Sequence, residues 1–388
     1  MEENKKYIET MDKIYKIYSD EKNTTNELYN EIKDNLIDPG CFTPEKMIYI
    51  LCDVGELRLR FRHAYIELMQ RIYEEYQCIH DSIIKYLSSY DSELNNTVDE
   101  AIINDDEEAF MKFMNFEIID IDGLFKDCCL YGAENIFKLL RTKYNMIITK
   151  ECLDASFKGN NSYIINECLK RQNPDKSTMK AAIESHNIYN VIKLSNEYNI
   201  EISYIYCEIY YNLHALLIYL NQTNDFHSCL FSSPSFGILS LCKYLLSNDT
   251  INNYYTVHNA INENQMEIAK YLILNDTDII HMTMDKYGTL LDIAVTHNAT
   301  DLVELLVSLG ADINIKGQNM HKLSLLHFAS IYNNKKVVEI LISNGAEIDE
   351  NMNSDSTTPL HAALTFNNKE IAQYLISHGA NIHKKRKI

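Results

Sequence analysis

Apolar residues in the C-terminal third of this 388-residue chain recur in a fixed frame. The clearest copy runs Thr358-Pro359-Leu360-His361-Ala362-Ala363, then Leu375-Ile376, then Gly379-Ala380. The same order surrounds His327 with Gly345 and Asp292 with Gly310, and a worn copy surrounds His258 with Asp276. The frame therefore advances by 34, 35 and 34 residues. Two apolar clusters per copy predict two short amphipathic helices. Thr358 caps the first, and Pro359 supplies a preset φ where its missing N–H costs nothing. Ala329, Ala362 and Ala363 keep that helix thin, while Leu341, Ile342, Leu375 and Ile376 fill the space between layers. Gly310, Gly345 and Gly379 fall just past the second helix, where a left-handed cap calls for glycine. Asp312, Asn314, Glu347 and Asp349 suit a polar β-turn finger between copies.

Upstream the rhythm shortens. Tyr144-Asn145-Met146-Ile147-Ile148-Thr149 matches Tyr198-Asn199-Ile200-Glu201-Ile202-Ser203 at a separation of 54 residues, two steps of 27. Asp122, Thr149, Ser177 and Ser203 fall on that grid as candidate helix caps, and Gly132 and Gly159 mark the bends between paired helices. Further upstream, positions 57, 61, 65, 68, 72, 76, 79, 83 and 87 form an apolar stripe that predicts one long amphipathic helix, with shorter helices before it. Arg58, Arg60 and Arg62 read as its solvated side. A small bundle capping the first repeat and a coiled-coil dimer through residues 57–87 both account for the stripe. Its step of 3.75 residues and its many tyrosines favour the cap over a heptad seam.

A tandem period near 33 residues with T-P-L-H-A-A and G-A at fixed offsets resembles the ankyrin-repeat family. Most of residues 95–247, including Cys128-Cys129-Leu130-Tyr131-Gly132-Ala133, resembles a domain of uncharacterised function found ahead of ankyrin repeats in large protist families. The resemblance implies an all-α solenoid of stacked helix pairs with short β-turn fingers in the C-terminal repeats, preceded by an N-terminal helical segment. The expected organisation is a helical cap or bundle at 1–90, degenerate repeats of about 27 residues at 91–247, four repeats at 248–383 and a basic tail at 384–388. Ankyrin-like units present the two residues after the inner-helix alanines to a concave groove. Here these are Asn262 and Glu263, Thr296 and His297, Ile331 and Tyr332, and Thr365 and Phe366. Finger positions carried over in the same way are Lys286 and Tyr287, His321 and Lys322, and Ser354 and Asp355. Tyr332 and Phe366 stand one repeat apart, either as binding anchors or packed on a neighbouring finger. Asp292 departs from the frame by replacing its His, and Leu290 and Leu325 by replacing its Pro.

Composition narrows the partner class. A net charge of -19 disfavours phosphate backbones as ligands, so no nucleic-acid partner is expected. No apolar run approaches a membrane span or secretory core, so an intracellular, most simply cytoplasmic, protein with no membrane partner is expected. Lys384, Lys385, Arg386 and Lys387 read either as a nuclear import signal or as basic residues suited to the open end of a helix stack. Ten cysteines without a CxxC pair read as reduced core thiols, and no metal or cofactor is expected. Asp120-Ile121-Asp122-Gly123 lacks the ligand spacing of a calcium loop and reads as a capped helix start. His327 and His361 recur at the repeat period, as structural residues bonding between turns would. There is no phosphate loop, zinc motif or nucleophile elbow. The resulting expectation is a non-enzymatic scaffold or adaptor that binds another protein on the concave face. A regulator of gene expression that masks a partner in the nucleus is the alternative, and an enzyme in the N-terminal region a weaker one.

Overall fold

The computed structural model describes residues 2–17, 22–78, 97–114, 120–248, 254–283, 288–314, 323–350 and 357–384. Among them are helices and turns and no extended strand. The chain forms two compact units, residues 1–229 and 230–388.

Four helices open the first unit: α1 (Glu2–Tyr15), α2 (Lys22–Ile32), α3 (Pro44–Leu57) and α4 (Arg62–Tyr76). The long helix expected from the stripe does not form. Arg58 ends α3, a 3-10 turn occupies Leu59–Phe61, and α4 stops at Gln77, which is left-handed. Arg58 is half-buried rather than on a solvated face, and burial lowers its pKa. Tyr65, Leu68, Met69 and Ile72 are buried, so these positions of the stripe pack inside the unit. Positions 79, 83 and 87 lie outside the described residues.

Helix pairs follow: α5 (Val98–Ile103) with α6 (Glu107–Phe113), α7 (Ile121–Tyr131) with α8 (Glu134–Lys143), α9 (Lys150–Gly159) with α10 (Ser162–Leu169), α11 (Lys176–Glu184) with α12 (Ile188–Tyr198), and α13 (Tyr204–Ile209) with α14 (Leu213–Thr223). Inner helices contact inner helices and outer contact outer, as in a stack. Thr149 caps its helix as read from sequence. The caps at Asp122 and Ser177 are corrected to Asp120 and Asp175, each two residues earlier, because these carboxylates accept the free N–H groups of the first turn.

In the second unit α15 (Phe226–Ser232), which begins before the division, leads through a 3-10 turn to α16 (Leu239–Asn248). Then come α17 (Tyr254–Asn262) with α18 (Met266–Asn275), α19 (Leu290–Thr296) with α20 (Thr300–Ser308), α21 (Leu325–Ile331) with α22 (Lys335–Ser343), and α23 (Pro359–Thr365) with α24 (Lys369–Ser377).

One joint is repeated throughout. A left-handed residue stands between inner and outer helix: Asp105, Gly132, Asn160, His186 and Tyr211 in the first unit, and Gly237, Asn264, Asn298, Asn333 and Asn367 in the second. At seven of these joints the N–H that follows closes a 6→1 bond back into the inner helix, as in Ala299 to the Ala294 carbonyl at 2.9 Å, Asn334 to Ala329 at 3.0 Å and Asn368 to Ala363 at 2.8 Å. This is the Schellman arrangement, with asparagine standing where glycine is commonest. Gly159 therefore has a different job from Gly132. Asn160 takes the left-handed turn, and Gly159 lets α9 approach α7 so closely that a Cβ would lie 2.3 Å from the Cys129 carbonyl oxygen.

Tyr211 carries a bulky side chain ill suited to a left-handed joint, and His186 is less at ease there than glycine. The N-terminal helices hold both in place. Tyr15 stacks on the His186 ring at 3.8 Å, Tyr7 donates to the Tyr211 carbonyl at 3.3 Å, and Phe42 meets the Tyr211 ring edge-on at 5.3 Å. The bundle thus packs against the joints of the fourth and fifth pairs of its own unit.

Candidate functional site: the repeat face

The frame of the second unit is built from capped helix starts and bonds between units. Thr358 Oγ1 accepts the His361 N–H at 3.4 Å, and His361 Nδ1 accepts the Thr358 N–H at 3.2 Å. One repeat earlier Ser324 caps α21, and its hydroxyl lies 2.7 Å from His327 Nδ1. His327 Nε2 stands 3.1 Å from the Thr357 carbonyl, which can only accept, so Nε2 carries the proton and ties one repeat to the next. Burial lowers the His327 pKa, against the bond to the Thr357 carbonyl, which raises it. Asp292 performs the capping half of this role, accepting from the Thr289 N–H at 2.8 Å and hydroxyl at 2.9 Å.

Gly310, Gly345 and Gly379 have φ of 93, 92 and 99° and end the outer helices. A Cβ at any of them would meet nothing within 4 Å, so backbone conformation alone selects glycine. At the finger bases, Asn314 Nδ2 donates to the Gly345 carbonyl at 3.0 Å and its Oδ1 accepts the Glu347 N–H at 3.0 Å. Asp349 accepts the Asn381 N–H at 3.0 Å in the same way. The tips with Lys286, Tyr287, His321, Lys322, Ser354 and Asp355 lie outside the described residues, as do Lys385, Arg386 and Lys387. Lys384 is described and donates to the Asp349 carbonyl.

The inner-helix positions fall together at the C-terminal ends of those helices. His297, Tyr332 and Phe366 are the C-cap residues of α19, α21 and α23, immediately before the left-handed asparagines. Tyr332 is 54% exposed although its ring lies parallel to Phe328 at 6.4 Å, and Phe366 is 55% exposed. Thr296 and Thr365 turn their hydroxyls back onto the carbonyls of Ile293 and His361, at 2.9 and 2.8 Å. Asn262 is exposed, and Glu263 and Ile331 are half-buried. Sequence reading missed Leu364, 59% exposed, whose equivalents Ile261, Val295 and Ser330 are buried beneath the following inner helix. It also missed Asn368, whose amide donates to the Ser330 and Ile331 carbonyls at 2.7 and 3.1 Å and so fixes the backbone beside Tyr332. The recurring asparagine pair at 333–334 and 367–368 was the available signal.

A family description of ankyrin repeats in three copies matches residues 230–317 and again 316–386. Residues 230–386 are ankyrin repeats. A domain of unknown function matches residues 144–219, within the short-period helix pairs of the first unit. No curated protein matches the chain. The ankyrin match begins at 230, where the second unit begins, one helix pair ahead of the start at 248 expected from the spacing.

Ankyrin repeats are a protein–protein interaction module. No group of three or more potential ligands that could hold a metal ion occurs among the described residues. All ten cysteines are free thiols, eight of them buried, and burial pushes Cys229 up to about 12 and Cys242 up to about 11. No helix of the described residues is long and apolar enough to cross a membrane.

Proposed function

We propose that the chain is a scaffold or adaptor whose ankyrin repeats bind a partner protein on the groove formed by the inner-helix ends. Tyr332 and Phe366 are the anchors, with Thr296, His297, Ile331 and Thr365 around them. The observation that carries this reading is two aromatic rings more than half exposed, one repeat apart, on C-cap positions fixed by neighbouring hydrogen bonds. Rigid aromatic side chains amid polar neighbours are the usual makings of an interface hot spot.

Removing the rings separates surface from frame. The double variant Tyr332→Ala, Phe366→Ala keeps the helicity and melting of the parent, because neither ring fills the core. A partner recovered by affinity capture from the native cell then binds it about thirtyfold more weakly, the equivalent of ~2 kcal/mol. Unchanged affinity for that partner, or unfolding of the variant, would place the recognition surface elsewhere.

A further inference from the structure

Three thiols from three helices meet in the core of the first unit. Cys129 stands near the C-terminal end of α7, Cys152 in the first turn of α9 and Cys168 near the end of α10, and all three are buried. The Cys129 thiol hydrogen-bonds to the sulfurs of Cys152 and Cys168, and Cys168 Sγ donates to the Cys152 carbonyl at 3.8 Å. Gly159 packs its backbone directly on the Cys129 carbonyl, which keeps α9 close enough for the Cys152 side chain to reach the Cys129 sulfur. The thiols do not converge in a way that could hold a metal ion.

Cys152 differs from the other buried thiols. At Cys41, Cys128, Cys207, Cys229 and Cys242 burial is the main influence and pushes the thiol pKa up. At Cys152 the hydrogen bond from Cys129 outweighs burial, the Thr149 hydroxyl at 3.5 Å adds a second donor, and the pKa falls to about 6. Cys129 moves in the opposite direction, because its bonds to Cys152 and Cys168 hold its proton in place. The helix start favours the same assignment, since Thr149 caps α9 and a thiolate in a first turn lies at the positive end of the helix. An attacking thiolate and a second thiol therefore stand side by side. Cys152 is only 2% exposed, but Thr149 beside its sulfur lies on the surface, so fraying of that first turn admits an oxidant little larger than water.

We infer that Cys152 is a site of oxidation by a hydroperoxide, and that Cys129 then closes a reversible disulfide with it between α7 and α9. In the first step the Cys152 thiolate attacks a peroxide oxygen and the O–O bond breaks. The departing alkoxide, or hydroxide from hydrogen peroxide, takes up the proton Cys152 had released, and Cys152 becomes a sulfenic acid. In the second step the Cys129 sulfur attacks the Cys152 sulfur, the S–S bond forms and the S–O bond breaks. Hydroxide leaves as water with the Cys129 proton. Two thiols are thus oxidised to one disulfide while one hydroperoxide is reduced to an alcohol and water. The site is separate from the ankyrin repeats, so either reading stands or falls without the other.

Hydrogen peroxide added to the reduced full chain at neutral pH, followed by alkylation of the remaining thiols, cleavage after lysine and mass spectrometry, tests the inference. Cys129, Cys152 and Cys168 then fall on separate peptides, 127–138, 151–158 and 159–170. The predominant crosslink joins the first peptide to the second, forms while far-ultraviolet ellipticity is unchanged, and is removed by dithiothreitol. Cys128 shares the first peptide, and Cys128→Ser keeps the crosslink. Cys129→Ser leaves Cys152 as a sulfenic acid that a cyclic 1,3-dione labels, whereas Cys152→Ser abolishes both crosslink and label. A folding defect in one variant leaves the wild-type map and the other variants decisive. No crosslink at Cys152, a crosslink from Cys129 to Cys168 or from Cys128 in its place, or crosslinking only after helicity is lost overturns the inference.

Discussion

His186 should make the first unit sensitive to mild acid. Its ring is fully buried against Tyr15, its Nε2 lies 2.7 Å from the Tyr210 carbonyl, and its pKa falls from 6.5 to about 4. Burial is the main cause. Lys16 and His214 lower it further, while the Tyr210 carbonyl and Asp12 act against the fall. The unfolded chain takes up the His186 proton near pH 6.5 and the native chain only near pH 4, so stability is present above 6.5, declines as the pH falls, and levels off below 4. The difference is about 2 kcal/mol at pH 5 and approaches about 3 kcal/mol below pH 4. Urea denaturation at pH 7, 6 and 5, followed by far-ultraviolet ellipticity, measures it. His186→Asn is the control, because asparagine tolerates the left-handed joint but does not titrate. The variant is less stable at pH 7, having lost the stack on Tyr15, and its midpoint falls less steeply between pH 7 and 5. Wild-type and variant curves running parallel over that interval would refute the argument.

Gly345→Val and Gly379→Val should each cost about 1–2 kcal/mol in thermal melting, from backbone strain alone, and Gly345→Asn should recover most of that; valine variants that melt like the parent would show the strain account to be wrong. Gly159→Ala should lower the urea midpoint by the equivalent of about 1–3 kcal/mol although alanine favours helices, because its Cβ would meet the Cys129 and Leu130 carbonyl oxygens at 2.3 and 2.6 Å. A neutral or stabilising result would mean that α7 and α9 separate freely. His327→Ala should cost about 2 kcal/mol or more in melting by leaving the Thr357 carbonyl unpaired, and His361→Ala less, since its imidazole bonds described here run to Thr358 of its own helix. Equal losses in the two variants would remove the bond between repeats from the explanation.

The C-terminal repeats were legible because glycine, proline and the capping residues recur at a fixed period. His327 as a bond between turns, and the glycines past the outer helices, could be read from spacing alone. The shorter pairs were harder. Their joints use five different residues, Asp105, Gly132, Asn160, His186 and Tyr211, so no single residue type marks the period. Cap assignment slipped by two residues at Asp120 and Asp175 because Asp122 and Ser177 are equally good capping residues by composition. The stripe at 57–87 misled because its apolar spacing runs without a gap across Arg58 and the 3-10 turn at Leu59–Phe61, where one helix ends and the next begins. Exposure of Tyr332 and Phe366 was inferable from their place in the frame. The stack of Tyr15 on His186 was not, because it joins residues separated by more than a hundred positions, and only packing brings them together.

The joint between paired helices is self-contained: its left-handed residue and its closing hydrogen bond lie within a handful of neighbouring positions, as at Asn298, Asn333 and Asn367. Cutting the chain after one such asparagine and splicing it after the next removes one full period and leaves the turn chemically unchanged. Excision of residues 299–333 would join Asn298 to Asn334 with the same backbone path. The number of repeats is therefore a quantity that recombination can alter in whole steps, lengthening or shortening the binding surface without redesigning a single bend.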